Sequence, residues 1–464
     1  MRDQHSATPR RDGWRWLAPI TAPWLLRRSG YGDFLRSLAD SEAVQWKPSP
    51  EIMAIQWERF RNILTHAARN VPFYRERFGE LGIRTDSIAE RQDLPRIPTV
   101  SKTDLRQHRD AMIADGVDKA TLQTRTSSGS SGKPTLIYLD SDRALRGWAW
   151  NTRHNRWAGL DWGCRLATMG LGQRGDASRP EPTGLHGVLR AWSGRAMGYP
   201  RAESLDPYNY TDADLQRFAL RLARFRPHVL MGYSSTVYSF ARHVLSAGTR
   251  SIHPHGVICG GETLDADARQ VIESAFASKV FVRYGTREVD IIASECEHGR
   301  LHVADDNLLV EVLTEPGGRF GRVVITDLWN YAMPIIRYDL EDVVSLAGEA
   351  CSCGRGLTVL AGVEGRRAEM FRSRDGRLVS GLWFTTLMRN KPGLGRYQIR
   401  QTAPQAFHIR AVTDGNVPLD EMLRGVVAEI MARFGEETIV TVTREPDIPQ
   451  VGDGKFRYLI SDVT

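Results

Sequence analysis

The sequence predicts an α/β protein: a large N-terminal domain of parallel-rich sheet with flanking helices and a β-rich subdomain, then a small C-terminal α+β domain. Three patterns carry this. Short apolar strands ending in glycine turns recur at Val229-Leu230-Met231-Gly232, Val257-Ile258-Cys259-Gly260-Gly261-Glu262 and Val280-Phe281-Val282 before Tyr284-Gly285. Helical apolar spacing surrounds the first of them between Asp212 and Leu245. Helix–strand alternation of this kind implies a parallel sheet, whose ligands gather beyond the carboxyl ends of the strands. After about Leu301 the pattern turns β-rich, with strands expected at Leu308–Val312, Gly321–Thr326, Pro334–Tyr338 and Asp342–Leu346.

Along the chain, residues 1–45 read as a leader. Arg10, Arg11, Trp14, Arg15 and Trp16 imitate a signal peptide, but Pro19 and Pro23 break the apolar part and no small-residue cleavage pattern follows. A poorly ordered leader or docking arm on a cytoplasmic protein is expected. Residues 50–80 read as helix from Ile52, Ile55, Trp57, Phe60, Ile63 and Leu64, and the pattern stops at Val71-Pro72. Ser101 is a plausible N-cap for a helix containing Lys102 and Leu105. Thr135–Leu139 reads as a strand leaving a glycine loop. Gly362–Arg366 reads as a boundary, giving a large domain over 46–365 and a small one over 366–464 with a helix near Leu419–Phe434.

Composition narrows the function classes. A length of 464 residues suggests two or three domains, and no apolar run approaches the roughly 20 residues of a bilayer span. The net charge of +7 is scattered as single arginines, which suits an anionic small molecule and not nucleic acid. Five cysteines without a secretion signal argue against a disulfide framework, and Cys164 and Cys259 read as buried small hydrophobes. A homodimer is left open.

The segment Thr124–Pro134, containing Ser127, Ser128, Gly129, Ser130, Ser131, Gly132 and Lys133, is suited to phosphate oxygens: glycines admit close approach, hydroxyls and amides donate, and lysine adds a cation. A flexible surface loop is the competing reading. Pro134 stands where the common phosphate loop has its Mg²⁺-binding hydroxyl, so a metal would be held elsewhere. Cys296, His302, Cys351 and Cys353 supply four ligands, enough for a closed tetrahedral Zn²⁺ site, with His298 a competitor. Three free thiols and a surface histidine are the alternative.

Together these segments resemble the adenylate-forming superfamily of acyl-CoA synthetases, peptide-synthetase adenylation domains and luciferases. The resemblance runs in order through Thr126–Pro134, Tyr284-Gly285-Thr286-Arg287-Glu288, Ile336–Asp342, Glu364-Gly365-Arg366 and Pro449–Arg457. His66–Tyr74, Ser101–Arg106 and Gly260-Gly261-Glu262 are similar to the phenylacetate–CoA ligase branch and its CapK-type relatives, several of which carry a similar cysteine–histidine set.

The resemblance implies that a carboxylate attacks the α-phosphorus of ATP, giving acyl-AMP and pyrophosphate. It assigns Ser127, Ser128, Ser130 and Lys133 to the β- and γ-phosphates and Glu288 to Mg²⁺. Tyr284 falls to the adenine face, with Gly260, Gly261 and Glu262 near it, and Asp342 to the ribose hydroxyls, supported by Arg366. Lys455, on a mobile small domain hinged near Arg366–Glu369, would stabilise the transition state. The implied acceptor is coenzyme A or a carrier protein, with an amine as alternative; a non-catalytic nucleotide-binding scaffold is the rival from another class. The aromatic-rich segment Trp148-Ala149-Trp150 to Trp157, with Tyr233-Ser234-Ser235 and the segment after Glu262, is a candidate border of the acid, for which an aryl or arylacetyl group would fit; core filling is the competing reading of the tryptophans.

Overall fold

The computed structural model describes residues 18–127, 135–170, 201–207, 210–249, 251–314, 318, 320–366, 370–376, 378–388, 391, 393–413, 418–449 and 458–463. They fall into two compact bodies: residues 1–46, 144–285 and 293–299, and residues 47–143, 286–292 and 300–464. The architecture is α/β, with mixed sheet and helices and a smaller β-rich C-terminal part.

In the first body, strands Arg201–Leu205, Arg165–Met169, Val229–Tyr233, Gly256–Gly260 and Lys279–Thr286 lie side by side in that order, all parallel. Helices cover them, so the central strands Val229–Tyr233 and Gly256–Gly260 are apolar on both faces and read as unbroken hydrophobic runs. Leu215, Phe218, Leu222, Phe240, Val257, Cys259, Phe276 and Val280 pack on one face, and Leu166, Val229, Met231, Ile258 and Phe281 on the other. Burial pushes the Cys259 thiol up to about 12, leaving it a small hydrophobe. The helix Asp212–Phe225 begins at a reciprocal cap: Thr211 Oγ1 accepts from the Asp214 N–H, and the Asp214 carboxylate accepts from the Thr211 N–H at 2.9 Å.

The stretch expected as a leader contains two helices, Ala18–Arg28 and Gly32–Val44. They form because Leu26, Phe34 and Leu38 bury against Ala149, with the Phe34 ring stacked 3.8 Å from that of Trp148. The Trp157 indole donates to Gln45 at 3.0 Å. Trp148 and Trp157 therefore bind the N-terminal helices, which corrects their expected place beside the acid.

In the second body, the expected helix over 50–80 is two, Ser49–Asn70 and Pro72–Glu80, because Pro72 cannot extend the first but is suited to open the second. Ser101 caps Lys102–Gln107 as expected. Strands Leu308–Thr314, Phe320–Asp327, Tyr338–Leu346, Val359–Arg366 and Leu301–Val303 form an antiparallel run in that order. The expected strand Pro334–Tyr338 is instead loop up to Arg337. Its backbone groups are satisfied by a side chain: the Tyr74 hydroxyl donates to Pro334 O at 3.1 Å and accepts from the Ile336 N–H at 3.0 Å. Arg337 then takes a left-handed φ of 51°, and one longer strand starts at Tyr338. Thr135–Leu139 is a strand as expected, paired antiparallel with Gln123–Ser127 in a separate hairpin.

The C-terminal strands Ile439–Arg444, Ala406–Thr413, Leu394–Ala403 and Leu459–Ser461 form their own sheet in that order. Helix Leu419–Phe434 covers it, over a separate core that includes Phe371, Phe384, Phe407, Ile409, Leu423 and Ile430. No described helix is long and apolar enough to cross a membrane.

One buried carboxyl gives this body a pH signature. Burial pushes Asp305 up to about 6, against the Thr358 N–H, which binds its Oδ2 at 2.6 Å. A carboxyl raised in the native state binds its proton more tightly there than in the unfolded chain. Stability should therefore fall as pH rises from about 4 to about 6, by up to about 3 kcal/mol. Asp305→Asn should abolish that fall, raising the denaturant midpoint at pH 7.5 and leaving it little changed at pH 4; an equal effect at both values would contradict the assignment.

Candidate active site

The second body is organised around a buried cation. Arg143, fully buried, donates from Nε to Asp327 at 2.7 Å, from Nη1 to Asp290 at 3.1 Å and from Nη2 to the Val289 carbonyl at 3.1 Å. Burial alone would weaken this cation, and the two carboxylates more than offset it. Asp290 is in turn held below the usual carboxylate range: burial opposes its charge, but Arg143 and then Arg125 outweigh burial. Arg125 reaches Asp290 from the hairpin strand Gln123–Ser127. Asp290 has a left-handed φ of 69°, a conformation that needs such support.

This network fixes two expected site segments. Ser127 is the last residue of the hairpin strand whose Arg125 is anchored, and the chain enters the serine–glycine loop from there. Glu288 precedes Val289, whose carbonyl Arg143 holds. Glu288 is only 6% exposed, and no described residue forms an ion pair with it. Nearby, Thr286 Oγ1 is buried without a hydrogen-bond partner.

The strand ends of the same body bring together another expected pair. Asp342 on Tyr338–Leu346 stands opposite Arg366 on Val359–Arg366, and residues so paired lie about 5 Å apart. The other charged residues of this motif have structural work. Arg337 forms a two-pronged bond with Glu311, 2.9 Å on each side, and Asp339 pairs with Arg322 at 2.5 Å and accepts from the Glu341 N–H at 3.0 Å.

In the first body, Gly260 closes its strand, and Gly261 makes the turn with a φ of 74°. Glu262 is tied to the next helix: its carboxylate accepts from the Ser235 N–H at 2.9 Å, and its carbonyl from Ser234 Oγ at 3.0 Å. A carboxylate at the first turn of helix Ser234–Ser246 is favourable in itself. Tyr284 is buried and Gly285 exposed. Ser128, Gly129, Ser130, Ser131, Gly132, Lys133, Arg367–Glu369 and Lys455 lie outside the described residues.

The cysteines and His302 converge. Their ligand atoms, one each from Cys296, His302, Cys351 and Cys353, lie within 4.8 Å of one another, and Cys353 Sγ is 3.3 Å from His302 Nε2. His298 is exposed and outside this set. Two matching turns present the thiols. In Cys296-Glu297-His298-Gly299 the His298 N–H donates to Cys296 Sγ at 3.3 Å, and in Cys351-Ser352-Cys353-Gly354 the Cys353 N–H donates to Cys351 Sγ at 3.5 Å. Gly299 and Gly354 close them at φ of 72° and 84°. The spacing Cys-x-His/Cys-Gly is thus a repeat legible in the sequence, whereas Arg143, Asp290 and Asp327 belong to no motif and are joined only by folding.

No family model matches the chain. It is 27% identical over 345 residues to the phenylacetate–coenzyme A ligase of Thermus thermophilus, covering 70% of this chain and 72% of that one. It is 21% identical to the protein CapK of Staphylococcus aureus, over 89% and 90% of the two chains. Among solved structures, a 2-hydroxyisobutyryl-CoA ligase in the postadenylation state shares the fold at a TM-score of 0.67 and 19% identity, covering 90% of this chain and 91% of the other. With the ordered motifs above, the chain is thus similar in sequence to acyl-CoA ligases of the adenylate-forming superfamily and shares the fold of one.

Arg143→Met would leave Asp327 buried without its cation and Asp290 with Arg125 alone, a change that typically costs about 3–5 kcal/mol. Chemical denaturation should show a loss of that order; a loss below about 1 kcal/mol would remove Arg143 from its keystone position.

Proposed function

We propose that this protein activates a carboxylic acid with ATP, releasing pyrophosphate, and transfers the acyl group from acyl-AMP to a thiol. The observation that carries this is the Arg143 network. One set of ion pairs fixes both the entry to the Ser127–Lys133 loop, through Arg125, and the segment bearing the unpaired carboxylate of Glu288. An oxygen ligand of that kind suits Mg²⁺, which when bound would neutralise charge on the nucleotide phosphates. Both reactants are anionic, so the chain's own contribution is positioning and cationic stabilisation.

In this reading Ser127, Ser128, Ser130, Ser131 and Lys133, with the amides of Gly129 and Gly132, grip the β- and γ-phosphates. Thr286 offers a buried hydroxyl in the same body. Asp342 accepts from the ribose hydroxyls beside Arg366, and Tyr284 faces the adenine with Gly285, Gly260, Gly261 and Glu262 at the neighbouring turns. Lys455 neutralises the α-phosphate as the carboxylate oxygen attacks and pyrophosphate leaves. The small domain, residues 366–464, then swings about its hinge so that a thiolate displaces AMP from the acyl carbonyl. Coenzyme A is the acceptor this reading favours, ahead of a carrier protein or an amine, and the motifs point to the phenylacetate–CoA ligase and CapK-type branch.

The cysteine cluster is proposed to hold a structural Zn²⁺. Soft thiolates and one imidazole suit a four-coordinate site, and the spacing of their atoms agrees with ligands about 2.0–2.3 Å from one ion. Metal analysis of the purified protein should find about one zinc per chain, and Cys353→Ser should lower it severalfold; a zinc-free wild type that keeps its full stability would remove the metal.

Pyrophosphate release across a panel of acids, with and without coenzyme A, tests the reaction. Lys455→Ala should slow release by about 100-fold or more while ATP binding persists. Release from no acid, with ATP still bound, would favour the scaffold reading.

A further inference from the structure

The parallel sheet of the first body carries a cation that no assignment above uses. Arg283 follows Phe281 on the same face of strand Lys279–Thr286, one step nearer the carboxyl end. Its Nη2 donates to Asn155 Oδ1 at 2.8 Å, while its Nε is sealed from solvent with no hydrogen-bond partner. Burial pushes the guanidinium down to about 10, and no carboxylate opposes the shift. A half-buried charge is costly to leave unpaired, and no described residue supplies an anion to this one, so the site asks for one.

The strand register shows where that anion would come from. Tyr233 pairs with Gly260, and Gly260 with Arg283, so the aromatic and the cation stand two strands apart, about 10 Å, with only a glycine between them in the sheet. The row beneath is apolar: Met231, Ile258 and Phe281 are in register and buried. Tyr233 does not fill the gap, because its ring leans the other way, over Gly170, where a Cβ would collide with it. The result is a slot at the carboxyl ends of the strands with an apolar floor, one aromatic wall and one cationic wall.

We propose that this slot takes the body of the acid substrate and that Arg283 pairs with a second carboxylate on it, so that the enzyme prefers dicarboxylic acids. This rests on the carboxylate-activating function proposed above. Arg283 is a specificity residue: it holds the end of the acid that does not react.

The test compares matched acids, 4-carboxyphenylacetate against 4-methylphenylacetate and adipate against hexanoate, by pyrophosphate release with wild type and Arg283→Met. Wild type should favour each diacid by about tenfold or more in kcat/KM. The variant should lose about 30-fold or more on the diacids and little on the monoacids, as expected for removing one partner of a buried charge pair. It should also be at least as resistant to denaturant as wild type, since an unpaired cation is replaced by an apolar side chain of similar reach. Wild type that prefers the monoacids, or a variant equally impaired on both kinds, overturns the inference while leaving acid activation standing. If no acid releases pyrophosphate, calorimetry with the same diacids decides: binding by wild type that Arg283→Met loses supports the slot although the reaction was misread, and no binding by either overturns both.

Discussion

Arg143 is the constraint on which the second body depends. A guanidinium removed from water must satisfy its donors, and here Asp327, Asp290 and the Val289 carbonyl do so from two separate stretches of chain. The geometry is demanding because a partly satisfied buried network is worse than an apolar core. Meeting it forces Asp290 into a left-handed backbone and draws Arg125 onto the same carboxylate. Each requirement brings a segment of the proposed site to a defined place: the base of the serine–glycine loop and the turn bearing Glu288.

The first body uses a different device. Its central parallel strands are apolar on both faces and carry glycines at or near their ends, which leave the carboxyl ends of the sheet free of side chains at chosen positions. Gly261 permits a turn only glycine makes easily, and Gly170 makes room for the Tyr233 ring. Glu262 is spent on the helix Ser234–Ser246, whose first turn it caps. Among the described residues, what remains at those ends is the row in which only Gly260 separates Tyr233 from Arg283. Half-burying a cation there costs stability that a more apolar sequence would keep, a common mark of sites shaped for ligands.

Much of the fold was legible because the deciding physics was local. Strand periods, the Ser101 cap, the Pro72 break and the helix Leu419–Phe434 follow from residues within a few positions of one another. Where the reading failed, a distant group had intervened. Tyr74 supplies the hydrogen bonds that a strand over Pro334–Arg337 would otherwise have found in a ladder. Trp148 and Trp157 carried a correct hydrophobic signal, but their partners, Phe34 and Gln45, are more than a hundred residues away.

From the sequence alone came the α/β class, the resemblance to the adenylate-forming superfamily through ordered glycine-rich motifs, and the choice of Cys296, His302, Cys351 and Cys353 as a set, which folding brings together. Those features are written in side-chain chemistry and short spacings. Only the tertiary structure decided which charges are partnered. It showed Arg337 and Asp339 taken up by Glu311 and Arg322, Arg143 shared between two aspartates, and Arg283 half-buried with no carboxylate beside it among the described residues. The strength of an ion pair depends on distance and on exclusion of water, and neither is encoded in the order of residues along the chain.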